Sequence, residues 1–487
     1  MIDNLLLGVQ TAFSIQNIIY CFLGTLIGTL VGILPGLGPA AGLSLLLPFV
    51  LSINDPTSSI ILLAGVYYGT TYGGSATSIL LKLPGEASSV VTCLDGNELA
   101  KKGMAGPALS IAALGSFFAG TIATILIAAV AVPLAEISLD FGPWEYTMLL
   151  LLALTCSVIL SYGKIVENIA IAILGMLIGL IGIDINTGIE RFTFNSVYLI
   201  DGFTFASVAM GLFGIAEIID HVLQKEKPNQ IPKIKNLYPT YKQIKTSAGS
   251  IFRGTTIGSL LGSLPGVGSI LPSFLAYFVE KKFTVNIGQG KLQGVASPES
   301  ANNAAAQTSF IPMLSLGLPS TPIMAIMISA LMINDIEPGP QVIESNPDLF
   351  WGLIVSMWLG NLFLLILNLP LIRIWVKILY VPKFILYPLI VMVCTIGSYY
   401  LKESLFDVLI MFVFGLLGLF LKKQNIDPIP LIMGFVIGVL LEEYLRKALI
   451  LGDGDWLLFV NRPICFFILL LTCMIFGLKY FLNKTEK

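Results

Sequence analysis

Two acidic residues, Glu86 and Glu299, stand beside runs of small polar residues in an otherwise apolar chain. The first run, 67–89, reads YYGTTYGGSATSILLKLPGEASS. The second, 297–322, reads SPESANNAAAQTSFIPMLSLGLPSTP. Both combine small polar residues with a Leu-Pro break, at Leu83-Pro84 and Leu318-Pro319. Polar groups inside apolar segments are costly unless they face protein or a cavity. Gly73, Gly74, Ser75, Thr77, Asn302, Asn303, Ser320 and Thr321 are therefore candidates to line a cavity. The competing role is plain interhelical hydrogen bonding. Lys82 is the one cation next to either run.

The other reactive residue types argue against hydrolytic, redox and metal chemistry. His221 is the only histidine, which removes HExxH and multi-histidine metal sites and leaves little room for a Ser-His dyad. A proton relay at His221 needs a buried acid, and Glu217 is the only nearby choice. No two of Cys21, Cys93, Cys156, Cys394, Cys465 and Cys473 form a CxxC pair, so they read as small buried hydrophobes. Gly452-Asp453-Gly454-Asp455 matches the GxGD pattern of membrane aspartyl proteases, but no second aspartate stands in a neighbouring span. Trp456 beside it marks an interfacial loop. The chain is read as neither an enzyme nor a metal or cofactor protein.

Composition dictates the elements that must hold these residues. The 487-residue chain is 56% hydrophobic and 11% charged. Its mean hydropathy is +0.88. A soluble domain carries roughly 25% charged residues. The net charge of −2 offers no basic excess for a phosphate backbone, so no nucleic-acid partner is expected. The expected class is an all-α polytopic membrane protein in a lipid bilayer, with about 11 full spans plus two re-entrant hairpins. Stretches such as 4–54, 56–81, 103–135, 254–279, 300–334 and 349–372 contain no Asp, Glu, Lys or Arg. The first basic residue is Lys82, and only Asp3 and Asp55 precede it among charged residues. By the positive-inside rule the N-terminus lies outside and the C-terminus is cytoplasmic, with Arg446, Lys447 and Arg462 as the one contrary loop. No basic n-region precedes the first apolar stretch, so no cleavable signal peptide is expected.

Residues 24–40, GTLIGTLVGILPGLGPA, and 254–270, GTTIGSLLGSLPGVGSI, are identical at ten of seventeen positions at an offset of 230. The matches include Pro35/Pro265, Gly36/Gly266 and Gly38/Gly268. Proline removes a helix donor and glycine permits positive φ, so each copy reads as a helix-break-helix hairpin with arms of roughly 12–15 residues. The spacings Gly24/Gly28/Gly32 and Gly254/Gly258/Gly262 favour close helix packing. The first hairpin has its ends outside, and the second, flanked by Arg253 and Lys281–Lys282, has them inside. Inverted repeats with broken helices are a signature of secondary transporters. The expected organisation is an N-terminal repeat at 1–222 (hairpin 16–52), a basic cytoplasmic linker at 223–250, an inverted second repeat at 251–400 (hairpin 251–280), and C-terminal spans at 401–487.

LPGLGP, YGGSATSILLKLPGEASSVVTCLDG, and SPESANNAAA followed by IPMLSLGLP resemble the large membrane subunit of tripartite tricarboxylate transporters over nearly the whole chain. The resemblance implies a translocation pathway for citrate-like carboxylates, driven by an ion gradient. It implies two partners, a small four-span membrane subunit and an extracytoplasmic solute-binding protein, and a bacterial inner-membrane location. Three positions depart from the family's pattern. Lys82 stands where a neutral residue, commonly Asn, precedes LPGE; Gln307-Thr308 replaces Gly-Gly; and Ser320-Thr321-Pro322 alters the run after the second Leu-Pro.

A di- or tricarboxylate needs hydrogen-bond donors and positive potential. None of the five arginines, Arg191, Arg253, Arg373, Arg446 and Arg462, lies deep in a span. Backbone N–H groups at the breaks, at Pro35, Gly36, Gly38, Pro265, Gly266, Gly268 and Ser269, would supply donors. Ser75, Thr77, Asn302, Asn303, Ser320 and Thr321 would add side-chain donors. A co-transported cation, Na⁺ or a proton, would offset substrate charge. Glu86 and Glu299 are the ion-coupling candidates, with interfacial capping as the competing role. Lys82 either meets a substrate carboxylate or snorkels to the inner headgroups. The flanking spans are expected to seat the small subunit or a second protomer of a homodimer. Alternating access by elevator motion is the expected mode, against rocking. A standalone carrier for another organic anion is the alternative, and a channel a more distant one.

Overall fold

The computed structural model describes residues 2–34, 38–50, 52–82, 84–161, 163–184, 187–223, 234, 236–378 and 383–485. The N-terminal half holds α1 (Ile2–Ala12), α2 (Ile15–Ile33), α3 (Gly38–Val50), α4 (Pro56–Leu81), α5 (Thr92–Lys101), α6 (Ala105–Leu139), α7 (Pro143–Leu160) and α8 (Ile165–Gly179). A two-stranded antiparallel hairpin follows, β1 (Gly182–Ile183) with β2 (Glu190–Arg191). Helices α9 (Phe205–Ala209) and α10 (Ala216–Leu223) are joined by a π-helical turn at Met210–Ile215.

The second half begins with α11 (Tyr241–Gly262), α12 (Ile270–Phe283), α13 (Gln293–Thr308), α14 (Phe310–Leu316) and α15 (Pro322–Ile333). It continues with α16 (Val342–Ser345), α17 (Pro347–Asn368), α18 (Ile372–Ile378), α19 (Lys383–Lys402) and α20 (Leu405–Lys423). The last helices are α21 (Ile429–Leu451), α22 (Leu458–Asn461) and α23 (Pro463–Thr485). Among the described residues, α2, α6, α17 and α20 are both long and apolar enough to cross a membrane, and several shorter apolar helices accompany them. The chain is an all-α, multi-pass membrane protein.

Local chemistry explains the helix boundaries that matter. Asp55 caps α4 by accepting from Thr57 N and Ser58 N, with Pro56 at the first helical position. Thr240 and Gln243 form a reciprocal capping box at the start of α11. That helix absorbs residues 241–250, so the second half of the expected linker is helix rather than loop. The first arms of the two hairpins, 19 residues in α2 and 22 in α11, exceed the expected length. The second arms, 13 residues in α3 and 14 in α12, fall within it. Ser14 caps α2 and Thr240 caps α11, so each first arm starts well before its glycine repeat, at Gly24 and Gly254.

Two helix pairs carry the architecture. Gly24, Gly28 and Gly32 of α2 lie against the carbonyls of Leu62, Val66 and Thr70 of α4. Gly254 and Gly258 of α11 lie against the carbonyls of Ser297 and Ala301 of α13, and Gly262 against Ala305. A Cβ at any of these glycines would overlap backbone, so the small-residue face is what lets the helices touch. Residue numbers rise together along both partners, so each pair is parallel.

The pairs meet where α4 crosses α13. Thr71 bonds Asn303 and Ser75 bonds Glu299, so numbers rise on one helix as they fall on the other. The two parallel pairs therefore run in opposite directions. Both central helices are buried around their whole circumference, from Thr57 to Leu80 in α4 and from Gly294 to Thr308 in α13. A core of Tyr67, Phe310, Met327, Phe350 and Trp351 packs around them. A second core, with Leu150, Leu212, Phe414, Met433 and Ile437, lies among α7, α20, α21 and α23.

Candidate functional site

The α4–α13 crossing collects the polar groups. Glu299 has no solvent exposure and accepts from two hydroxyls, Ser75 Oγ on one oxygen and Thr92 Oγ1 on the other. One turn on, Asn303 accepts from Thr71 Oγ1 at 3.0 Å and donates to Ser116 Oγ at 2.7 Å. Its neighbour Asn302 donates to Glu86 Oε1 at 2.6 Å, while the Asn302 Oδ1 is buried without a partner among the described residues. Glu86 precedes a short 3₁₀ turn, Ala87–Val90, and is half-buried. Ser75, Glu86, Glu299, Asn302 and Asn303 thus come together, with Gly74 packed close to Gly85 and the Glu86 Cγ.

The chain reaches Glu86 through a sharp reversal. Lys82 ends α4 in the left-handed region at φ 59°, and Pro84 and Gly85 bring the backbone back onto Gly74 and Gly32. The second polar run reverses in the same way, since Gly317 ends α14 at φ 68° before Leu318-Pro319. The two reversals stand 235 positions apart, as do the α4 and α13 residues that receive the glycine faces. Thr321 then caps α15 by accepting from Met324 N, and Ser320 donates to the Ser309 carbonyl. Gly268, at φ 62° in the second hairpin's tip, faces the Thr321 methyl at 3.2 Å from where its Cβ would be.

Other candidates sit apart from this cluster. Pro35 and Gly36 lie outside the described residues. Gly38 opens α3 at φ 58°, with no described residue within 4 Å of a Cβ there. Pro265 is buried and Gly266, at φ 81°, is pressed against Ala153 and Cys156 of α7. The Ser269 carbonyl accepts from Ser273 Oγ. Gly73 abuts Thr29 and Ile33 of α2, and Thr77 bonds the Gly74 carbonyl within its own helix. Lys82 is exposed. The side chain of His221 lies outside the described residues.

Several groups around the crossing are not among the expected site residues, although Gln307 stands out as a departure from the family's pattern. Thr92, the second donor to Glu299, opens α5. Tyr72 OH donates to Asn361 Oδ1 at 3.0 Å, joining α4 to α17. Gln307 accepts from Thr124 Oγ1 at 2.5 Å, and Gly120 leaves room for its amide beside Asn361. Asp95 is fully buried on α5. It accepts from Tyr277 OH at 3.0 Å, from Gly288 N and Gly290 N at 2.8 Å, and from Lys291 N at 2.7 Å. An acid in a short polar helix carries no sequence signal for such a partner, although Asp95 stands in the quoted LDG stretch.

Chemically, the crossing places a fully buried carboxylate and a half-buried one among hydroxyl and amide donors. Neither Glu86 nor Glu299 has an ion-pair partner among the described residues. Charge in so dry a place demands a compensating proton or cation. Among the described residues no group of three or more His, Cys, Asp or Glu is placed to hold a metal ion.

Comparison with known proteins agrees with a transport role. An uncharacterised 52.8 kDa protein in the TAR-I ttuC′ 3′ region of Agrobacterium vitis is 48% identical over 485 residues, covering 98% of this chain and 96% of the relative. An uncharacterised protein in the TAR-II ttuC′ 3′ region of the same organism is 54% identical over 210 residues, covering 42% of this chain and 87% of the relative. No solved structure matches the chain. The model of the Tripartite tricarboxylate transporter TctA family matches residues 18–433. With that match over most of its length, the chain belongs to the Tripartite tricarboxylate transporter TctA family, the large membrane component of a tripartite transporter.

Proposed function

We propose that the chain drives uptake of di- or tricarboxylates such as citrate across the bacterial inner membrane, coupled to a Na⁺ or proton gradient. It works with an extracytoplasmic solute-binding protein and a small four-span membrane subunit. The N-terminus faces outward and the C-terminus the cytoplasm. The pairs α2–α4 and α11–α13 are inverted repeats, and their crossing is the translocation site. The observation that carries this reading is the buried Glu299 at that crossing, held by Ser75 and Thr92 without an ion-pair partner among the described residues.

The substrate brings two or three negative charges to a place that already holds carboxylates. The Asn302 amide and the Thr321 hydroxyl, together with backbone N–H groups at the reversals, suit its oxygens. A co-bound cation lowers the net charge that must cross. The hairpins and the crossing move together against α7, α20, α21 and α23 in an alternating-access cycle. The purified chain, reconstituted with its partner subunits, tests this with imposed gradients. Citrate uptake should rise when a Na⁺ or pH gradient points inward. Equal uptake with neither gradient refutes coupling.

A further inference from the structure

A small cavity opens beside the crossing, between α4, α6 and the end of α17. We propose that it binds a monovalent cation of Na⁺ size, ligated by oxygens of Ser75, Ser116 and Asn368 with Tyr72 at its edge. The assignment rests on the ion-coupled reading above and places the ion at residues outside the two glutamates.

Asn368 carries the argument. It is 5% exposed, and its amide nitrogen donates to the Leu364 carbonyl at 3.1 Å and to Thr29 Oγ1 at 3.4 Å. Those bonds fix which way the amide faces, because the opposite orientation would set two acceptors against each other. Among the described residues its Oδ1 is buried with no hydrogen-bond partner, on a side chain that lines the cavity. A buried acceptor left unpaired costs about 1–3 kcal/mol.

The other polar groups offer the same face. The Ser75 proton is directed to Glu299 and the Tyr72 proton to Asn361. Ser116 Oγ accepts from Asn303 and retains a lone pair. With the Ser116 proton turned aside, the lining can present oxygen lone pairs from Ser75, Ser116 and Asn368, which suit a hard cation. Alanine and aliphatic side chains of α6 close the remaining wall, so a fully hydrated ion does not fit. The negative charge comes from Glu299, one hydroxyl away through Ser75.

The test uses the full chain in nanodiscs without substrate. Melting temperature is followed against NaCl at constant ionic strength, with KCl and choline chloride as controls. Na⁺ should stabilise the wild type where K⁺ and choline do not. Asn368→Leu should raise the half-saturating Na⁺ concentration by about tenfold or more, the loss of one good ligand. Ser116→Ala should raise it less. Asn368→Asp keeps an oxygen and should keep Na⁺ stabilisation, which carries the test if the leucine variant fails to fold. Unchanged titrations in Asn368→Leu and Ser116→Ala, or no Na⁺-specific stabilisation of the wild type, overturn the proposal. Gradient-driven citrate uptake by the wild type is measured alongside. If uptake survives while the titrations do not move, this cavity is wrong and the transport reading stands.

Discussion

Lys82 ends α4 at a positive φ where its side chain gains nothing from burial. Left-handed backbone disfavours a residue with a Cβ, and Asn or Gly relieves it. The family resemblance places Asn at this position, and the αL geometry is the physical reason for that preference. Exposure of Lys82 sets its ammonium outside the cluster around Glu299. Lys82→Asn and Lys82→Gly should therefore melt no lower than the wild type and keep uptake, with a gain of up to about 1 kcal/mol for glycine. A β-branched Lys82→Val should melt lower. Lost carboxylate affinity in the asparagine variant would return Lys82 to the substrate. Glu299 behaves oppositely, because both of its oxygens are committed to hydroxyl donors. In Glu299→Gln an amide NH₂ confronts one of those donors and the charge is gone. Gradient-driven uptake should fall by more than about tenfold while the detergent-purified variant still elutes as a folded species. Unchanged uptake would remove Glu299 from coupling. Glu299, Ser75, Asn302 and Asn303 were legible because polar residues stand out in apolar sequence. Thr92 and Asp95 were not, because a threonine and an acid in a polar segment look like surface.

At the scale of elements, the glycine spacing announced close packing but not its direction. Gly28 and Gly258 each press on a partner carbonyl, and such Cα–H contacts add about 0.5–1 kcal/mol apiece. What no local pattern shows is that α4 then crosses α13, because that contact joins residues more than two hundred positions apart. The first arms are longer than the glycine repeats suggest, because Ser14 and Thr240 cap them well before Gly24 and Gly254. Asp95 shows how the two halves are tied. Its carboxylate gathers a tyrosine hydroxyl and three backbone N–H groups of the turn before α13, and thereby sets where α13 begins. Asp95→Asn turns an amide toward those donors and should cost on the order of 3 kcal/mol in melts of the purified chain. Tyr277→Phe removes one donor alone and should cost about 1 kcal/mol. Equal effects of the two would mean that the backbone bonds do not hold the turn.

For the molecule as a whole, the directions of four helices make a claim about sidedness. Since α2 runs with α4, α11 with α13, and α4 against α13, the segments that start α4 and α13 must lie at opposite ends of the assembly. Measured along the axis from Pro56 to Thr71 and from Asn303 back to Gln293, those starts are roughly 37 Å apart at 1.5 Å per residue. That distance approaches the full thickness of a bilayer with its headgroups, about 40–45 Å. Charge then assigns the faces. Asn54 follows a stretch without a single basic residue, whereas Asn286 sits between Lys281–Lys282 and Lys291, so the positive-inside rule puts Asn54 outside and Asn286 in the cytoplasm. Both side chains are exposed, and five native cysteines are buried while Cys473 is exposed. With Cys473→Ser as background, a membrane-impermeant maleimide applied to right-side-out vesicles should label Asn54→Cys at once. Asn286→Cys should react only after the vesicles are opened. Labelling of both from one side would break the opposed arrangement itself, since no choice of orientation in the membrane brings the two ends together. Labelling in the reverse order would keep the opposed pairs and overturn only the assignment of faces by charge.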